Sequence, residues 1–461
     1  MTGSFTLAGL LLRGRAAAGR ATVDVLTIVT FMISTSLLLS VVAGARALSV
    51  REQNPPAGFL AALGASADLD VTMMGIWTFL AFGAAVLLVV PLLTLSAAAA
   101  RMGALGRDQR LATLRLLGVS VAGVIRLAAL ETMMAAGLGA ICGIAGYFGL
   151  LPALSMIRFQ TAPLSGSELV LPAGWIAAVV VVVVALAGAA SLSGLREVTI
   201  SPLGVSKRER RRGVPWKRII AVPVVVVVWL AVSPFLSFQR EWTTTIVVVL
   251  VVLGAFMGVV NLIGPLVLQL AGRVLVRFPS ATAMLAGRRV LDDPRGAWRN
   301  VAGLAFTGFI GGAFVAMPSF RSQAPFVTIL SADLRTGTLM TVVIAFVTAA
   351  ASTALNQAAA VLDRRRALVQ LDHAGASRSV INGSRRREVL VPTLCASVGS
   401  AALAVLFFLV LGRVAQVDAD PAGLITLAAI VVAGVALVVA ASESCRPIVR
   451  GVLATAGARV E

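Results

Sequence analysis

The chain has 461 residues, 59% of them hydrophobic and only 13% charged, against roughly 25% charged in an ordinary soluble protein. A formal net charge of +19 raises the question of nucleic-acid binding. The basic residues, however, sit between long apolar runs, as in membrane loops, and that excludes a nucleic-acid surface. Three cysteines without CxxC spacing (Cys142, Cys395 and Cys445) and a single histidine, His373, indicate neither a disulfide framework nor a metal site.

The chain opens with a basic stretch, Arg13 to Arg20, that suits a short amphipathic helix from Phe5 to Arg20 in the membrane interface. Its charged region is too long for a cleaved signal peptide, and Asp24 interrupts the approach to the first apolar run. Ten apolar segments follow, at 23–45, 71–100, 127–154, 171–193, 219–238, 243–271, 300–318, 337–361, 389–412 and 421–441. About 20 apolar residues span a bilayer, and only helices or closed barrels satisfy their backbone there. The alternating pattern of a barrel strand is absent. The expected fold class is therefore an all-α membrane protein with about ten transmembrane helices.

With a cytoplasmic N-terminus, 32 of the 39 basic residues fall in inner segments. Only Arg46, Arg51, Arg158, Arg240, Arg321, Arg335 and Arg413 fall outside. This asymmetry places both termini in the cytoplasm. Among the basic residues only Lys207 and Lys217 are lysines, a bias that suits a GC-rich genome.

An internal repeat organises the chain. Leu111, Leu114, Gly118 and Ser120 recur as Leu368, Leu371, Gly375 and Ser377, at an offset of 257. At the same offset Glu131 meets Glu388, each at the start of an apolar helix. Arg13–Arg20 precedes the first helix as Arg288–Arg295 precedes the seventh. Helices one to four and seven to ten then form two four-helix repeats. Two extra helices join them and return the chain to the same side, so the repeats are parallel. The domains read as 1–22, an interfacial helix; 23–200, the first repeat; 201–280, a linker with helices five and six; and 281–461, the second repeat.

Leu111, Leu114 and Leu117 share helical spacing, and Gly118 with Ser120 breaks the helix and restarts it. Each segment thus reads as a short helix lying across the membrane surface between two spans, suited to docking a two-fold partner. The alternative is a pair of basic loops touching lipid headgroups. Glu131 and Glu388 suit ion pairs with a nearby arginine, or a part in transmitting motion. Gly139 and Gly143 form a GxxxG that permits close helix contact, and Asn261, Gln269, Asn356 and Gln357 suit interhelical hydrogen bonds.

The run Arg110 to Ser120, continuing through Val124, Ile125, Arg126 and Leu130-Glu131 into a Gly/Ala-rich helix, resembles the FtsX-like permease domain of ABC transporters of the MacB and LolCDE type. The stretch 288–295 and Ser201-Pro202-Leu203 are similar to the segments that open and close such domains. The second copy departs from the pattern, with Asp372-His373 in place of a basic or apolar pair and Gly383 in place of Arg126. The resemblance implies a permease subunit that binds no cofactor itself. ATP and Mg would sit on a separate ABC ATPase, in two copies, docked at Leu111, Leu114, Leu117, Gly118, Ser120, Leu368, Leu371, Gly375 and Ser377. It also implies a bacterial cell membrane, and it leaves room for a further membrane or extracellular partner. The connections 46–70 and 319–336 are too short for the extracytoplasmic domains the family often carries.

No G-x-x-x-x-G-K-[ST] occurs, so this chain has no phosphate loop of its own and is not expected to be an enzyme. The expected function is export or extraction of a hydrophobic or amphipathic substrate. The alternatives are an ion-gradient-driven secondary transporter, whose mid-membrane ionisable residues are not apparent here, and a non-transporting, ATPase-coupled regulator of a cell-envelope enzyme.

Overall fold

The computed structural model describes residues 21–63, 71–104, 120–199, 220–232, 242–315, 325–415 and 421–450. The expected interfacial helix at 5–20, the repeat residues Leu111, Leu114, Leu117 and Gly118, and Ser201-Pro202-Leu203 lie outside them. The chain is an all-α membrane protein. Among the described residues the β-structure is one hairpin of two-residue strands. Backbone contacts divide the chain into two compact units, 1–209 with 351–369 and 447–461, and 210–350 with 370–446.

The first unit contains α1 (Ala21–Gln53), α2 (Ala57–Leu63), α3 (Val71–Ala104), α4 (Val121–Ser155), β1 (Arg158–Phe159), β2 (Ala162–Pro163), α5 (Gly166–Leu169) and α6 (Ala173–Thr199). The GxxxG does what its spacing predicts. A Cβ at Gly139 would fall 2.5 Å from Phe31 Cβ, and one at Gly143 2.7 Å from Thr35 Cβ. Residue numbers rise together on both helices, so α1 and α4 run parallel in close backbone contact. α3 runs antiparallel to α1, with the Ser34 and Ser96 hydroxyls 2.7 Å apart and Thr78 donating to the Leu48 carbonyl. α6 runs antiparallel to α4, with Thr132 donating to Ser191 at 3.3 Å and Gly188 set against Met133. In lipid there is no water to satisfy hydroxyls, so these contacts hold helices together and fix their register.

The second unit contains α7 (Ala221–Val232), α8 (Trp242–Arg277), α9 (Ala281–Asp292), α10 (Pro294–Val315), α13 (Arg378–Ala415) and α14 (Pro421–Glu443). The division between units falls within α11 (Pro325–Asp363) and α12 (Arg365–His373). α8 descends against the ascending pair α9–α10. Gly264 lies under the Trp298 ring, Gly272 against Gly287, and the Trp298 indole N–H donates to Asn261 at 3.0 Å, the interhelical bond expected of that asparagine. Leu268, Val290, Trp298, Val301, Ala305 and Ala396 form one buried core. Leu304, Val342, Phe346, Val389 and Val438 form another, with Gly434 leaving room for the Phe346 ring. The Asp292-Asp293-Pro294 run is the joint between α9 and α10. Asp293 accepts the Gly296 N–H at 2.9 Å as a cap, and Pro294 takes the first helical position, where no N–H is needed.

Among the described residues seven helices are long and apolar enough to cross a membrane: Asp24–Gln53, Ile125–Ser155, Ala173–Leu192, Gly258–Arg277, Pro325–Val361, Arg378–Val405 and Ala428–Arg450. Three of the ten expected spans are missing from this set. The apolar stretch of α3 is described in two pieces, Gly75–Ala85 and Pro91–Ala100. α7 is described over 12 residues. α10 carries Arg295 and Arg299 in its first turns. Several helices also exceed their expected ends. α11 starts at Pro325 rather than 337, and α13 at Arg378 rather than 389. At roughly 1.5 Å per residue, the 38 residues of α13 reach well past a hydrocarbon core about 30 Å thick.

Candidate functional site

The second repeat segment is described in full. α12 is amphipathic, with Leu368 buried and Leu371 half-buried, while Gln370, Asp372, His373, Ala374, Gly375 and Ser377 are exposed. The helix stops at Gly375, whose φ of +82° lies in the left-handed region that favours glycine. The Ala376 N–H donates to the Leu371 carbonyl and the Gly375 N–H to Asp372, both at 2.9 Å. This pair of bonds is a Schellman cap. Two residues on, the Ser377 hydroxyl accepts the Val380 N–H at 3.4 Å and starts α13. Gly-x-Ser is therefore a complete helix stop and start in three residues.

In the first segment, Ser120 is described. Its backbone is extended, with φ −61° and ψ 150°, and its hydroxyl accepts the Gly123 N–H at 3.2 Å, opening α4. The two serines, 257 residues apart, thus cap the N-termini of α4 and α13 by the same i to i+3 bond. Leu368 packs its side chain inside the protein, Leu371 is half-buried, and the exposed part of this segment is the turn at 372–375 with Ser377.

The acidic pair divides. Glu388, half-buried on α13, accepts a hydrogen bond from Arg289 of α9 at 3.0 Å. Its partner thus comes from the 288–295 segment and not from the repeat motif. Glu131 is buried at 4% exposure, beside Thr132, whose hydroxyl donates to Ala128 and Ser191. Around Glu388 the arginines of α13 are engaged. Arg385, 4% exposed, donates to the Ser442 carbonyl at 2.7 Å, and Arg387 donates to the hydroxyls of Ser280 and Thr282. Together with Arg289 they sew α9, α13 and α14 together.

A second site, absent from the sequence expectations, lies at the C-terminal end of α1. Arg51, one of the seven basic residues read as outer, is only 2% exposed. All five of its N–H donors find acceptors. Nε and Nη2 reach the two Glu168 oxygens at 3.0 and 2.9 Å, Nη1 reaches the Phe159 and Ala162 carbonyls, and Nη2 also reaches the Pro163 carbonyl. The guanidinium is the hub of a cap made by the 158–163 hairpin. That hairpin turns through Gln160 and Thr161 at φ of 51° and 66°, left-handed values that strain a β-branched residue. Arg46 adds bonds to the Glu168 and Val170 carbonyls, and the Tyr147 hydroxyl bridges Leu169 and Leu171. Phe59 of α2 packs edge-on against Trp77 beside it. Burial pushes the Glu168 carboxyl up, but its hydrogen bonds from Arg51 and Ser165 outweigh that and hold it below its ordinary value. A readable local signal existed in Ser165-x-x-Glu168, a capping box in which each side chain bonds the other residue's backbone.

Among the described residues no group of three or more His, Cys, Asp or Glu is placed to hold a metal ion. No family model matches the chain, and neither a curated protein nor a solved structure matches it.

Proposed function

We propose that the chain is the permease subunit of an ABC transporter, with ATP and Mg bound on a separate ATPase present in two copies. In this reading about ten helices form two parallel four-helix repeats joined by two extra helices. Both termini face the cytoplasm of a bacterial cell, and the Arg51 cap lies on the outer side. The substrate is a hydrophobic or amphipathic molecule reached from the membrane and exported or extracted. The observation that supports this best is the matched Gly-x-Ser break, which in the second segment ends an amphipathic helix in an exposed, hydrogen-bonded turn at the foot of a long span. A turn held by three backbone caps is stiff enough to pass a push from a docked subunit into α13.

The test uses the full chain purified with the ATPase encoded beside its gene. The chain alone should show no ATP turnover, and the complex should show turnover that responds to membrane reconstitution. Ala374→Arg places bulk on the exposed turn without entering the core. It should abolish co-purification while leaving the thermal midpoint of the chain unchanged. Normal assembly and coupled turnover in that variant would remove the docking role and with it the main support for this reading.

A further inference from the structure

We propose that the α8–α9 corner of the second unit binds the headgroup of an anionic phospholipid through Arg273, Arg277 and Arg288. The C-terminal part of α8 is an apolar span, Gly258–Arg277, and its exposed Val267, Leu270 and Val274 form a stripe that leads to exposed Phe278. Lipid tails therefore lie against this helix up to its last turn.

At that turn α8 and α9 meet in close antiparallel contact. A Cβ at Gly287 would fall 2.7 Å from the Gly272 carbonyl and 2.9 Å from Leu275 Cβ. Arg273 and Arg288 are the next residues on the two helices. In right-handed antiparallel helices, the residues that follow a facing pair turn to the same side of the contact. Arg277 follows Arg273 by four residues and shares its face. α13 covers the opposite side of α9, where Thr282 meets Gly383 and Arg289 meets Glu388.

The three arginines are exposed, and among the described residues none of them meets a carboxylate within ion-pair distance. Asp292, one turn beyond Arg288 and also exposed, is the acidic residue facing this corner from α9, and it leaves the patch net positive. Neighbouring Arg289, Arg385 and Arg387 each have a protein partner. Arg295 and Arg386 are exposed as well, but Arg273, Arg277 and Arg288 are the ones set beside the exposed apolar stripe of α8. A guanidinium cluster at headgroup depth with apolar side chains beneath it fits a phosphodiester whose acyl chains run along α8.

The experiment reconstitutes the full chain in phosphatidylcholine nanodiscs with spin-labelled phosphatidylglycerol or spin-labelled phosphatidylcholine, and reads the preference for the anionic lipid. Each arginine beside anionic lipid is expected to contribute about fivefold, so R273Q/R277Q/R288Q should lower the preference by about a hundredfold if the three contributions are independent. The matching R273K/R277K/R288K variant keeps the charges and most of the preference. A control triple at other exposed arginines of this unit, R295Q/R386Q/R446Q, should change it little. If the glutamine triple does not purify as a monodisperse species, the three single variants are read instead, each with about a fivefold loss. Retained preference in the glutamine variants, or an equal loss in the control triple, overturns the proposal. So does unchanged lipid preference with loss of ATPase binding, which would make the corner a protein-docking surface.

Discussion

The cap at the end of α1 and the arginine seam between α9, α13 and α14 use the same residue type to different ends. Arg51 is closed on all sides, with five acceptors gathered from β1, β2 and α5. In the seam the Arg289–Glu388 pair keeps 14% and 19% of its side-chain surface exposed. A fully enclosed guanidinium is stable only because every donor is answered, so the cap stands or falls as one piece. A partly exposed bond such as Arg289–Glu388 can be lost while the others hold, because water takes the vacated place. The first unit therefore carries a rigid lock at one end, and the second a set of separable stitches.

The sharpest way to break that comparison is Arg51→Ala. It leaves the Glu168 carboxylate and three carbonyls of the hairpin without their donor, at a cost of about 3 kcal/mol or more. A clear fall in the thermal midpoint in detergent is expected, with fast proton exchange at Phe159 to Leu164. Arg51→Lys should recover only part of this, since an ammonium cannot reach five acceptors in a plane. A midpoint unchanged in Arg51→Ala would show that the hairpin holds without its hub.

Acid should do by titration what the substitution does. The folded Glu168 carboxyl is held below its ordinary value, so its contribution is fully present above the unfolded-state value. It is lost progressively as pH falls from there through the folded value, when protonation removes the negative partner of Arg51. Relative to the intrinsic exchange rate at each pH, the hairpin amides should therefore lose protection on acidification before those of α4 and α6 do. Glu168→Gln should flatten this dependence at a lower baseline stability. An acid profile identical in wild type and Glu168→Gln would place the sensitive group elsewhere.

The seam predicts a smaller effect. Arg289→Ala should cost about 1 kcal/mol, the scale of a partly exposed ion pair, and be sensitive to salt. Arg385 and Arg387 would still tie α13 to α14 and α9. A loss as large as that of Arg51→Ala would mean the seam is also a single cooperative lock.

The sequence made the spans legible because apolar runs of bilayer length have one structural solution, and α4 and α14 fall close to their expected bounds. It understated helices that carry charge. Hydropathy stops at Arg385-Arg386-Arg387, whereas the helical hydrogen-bond ladder does not, so α13 begins a full eleven residues before the expected start. The α9 helix was legible only as a basic stretch, since its buried positions are Ala283, Ala286, Gly287 and Val290, small residues that hydropathy barely marks. The Arg51–Glu168 pair joins residues 117 apart, and no local period encodes such a distance. Gly-x-Ser was readable because stop and start are both local events, set by one glycine and one hydroxyl.

That locality gives the smallest and most specific prediction. If Ser120 and Ser377 are equivalent caps, Ser120→Ala and Ser377→Ala should each cost about 1 kcal/mol, the usual value of an N-cap hydroxyl. The two costs should match within a few tenths of a kcal/mol and add in the double variant, because the caps begin different helices in different units. Amide exchange should quicken at Gly123 in the first variant and to a smaller degree at Val380 in the second, whose N–H loses the hydroxyl but keeps its 3.0 Å bond to the Ser377 carbonyl. Threonine at either position should restore protection, since its hydroxyl can accept the same bond. A large cost at one serine and none at the other would show that only one of the segments uses its cap. The offset of 257 would then record common ancestry of the two segments without a shared local structure.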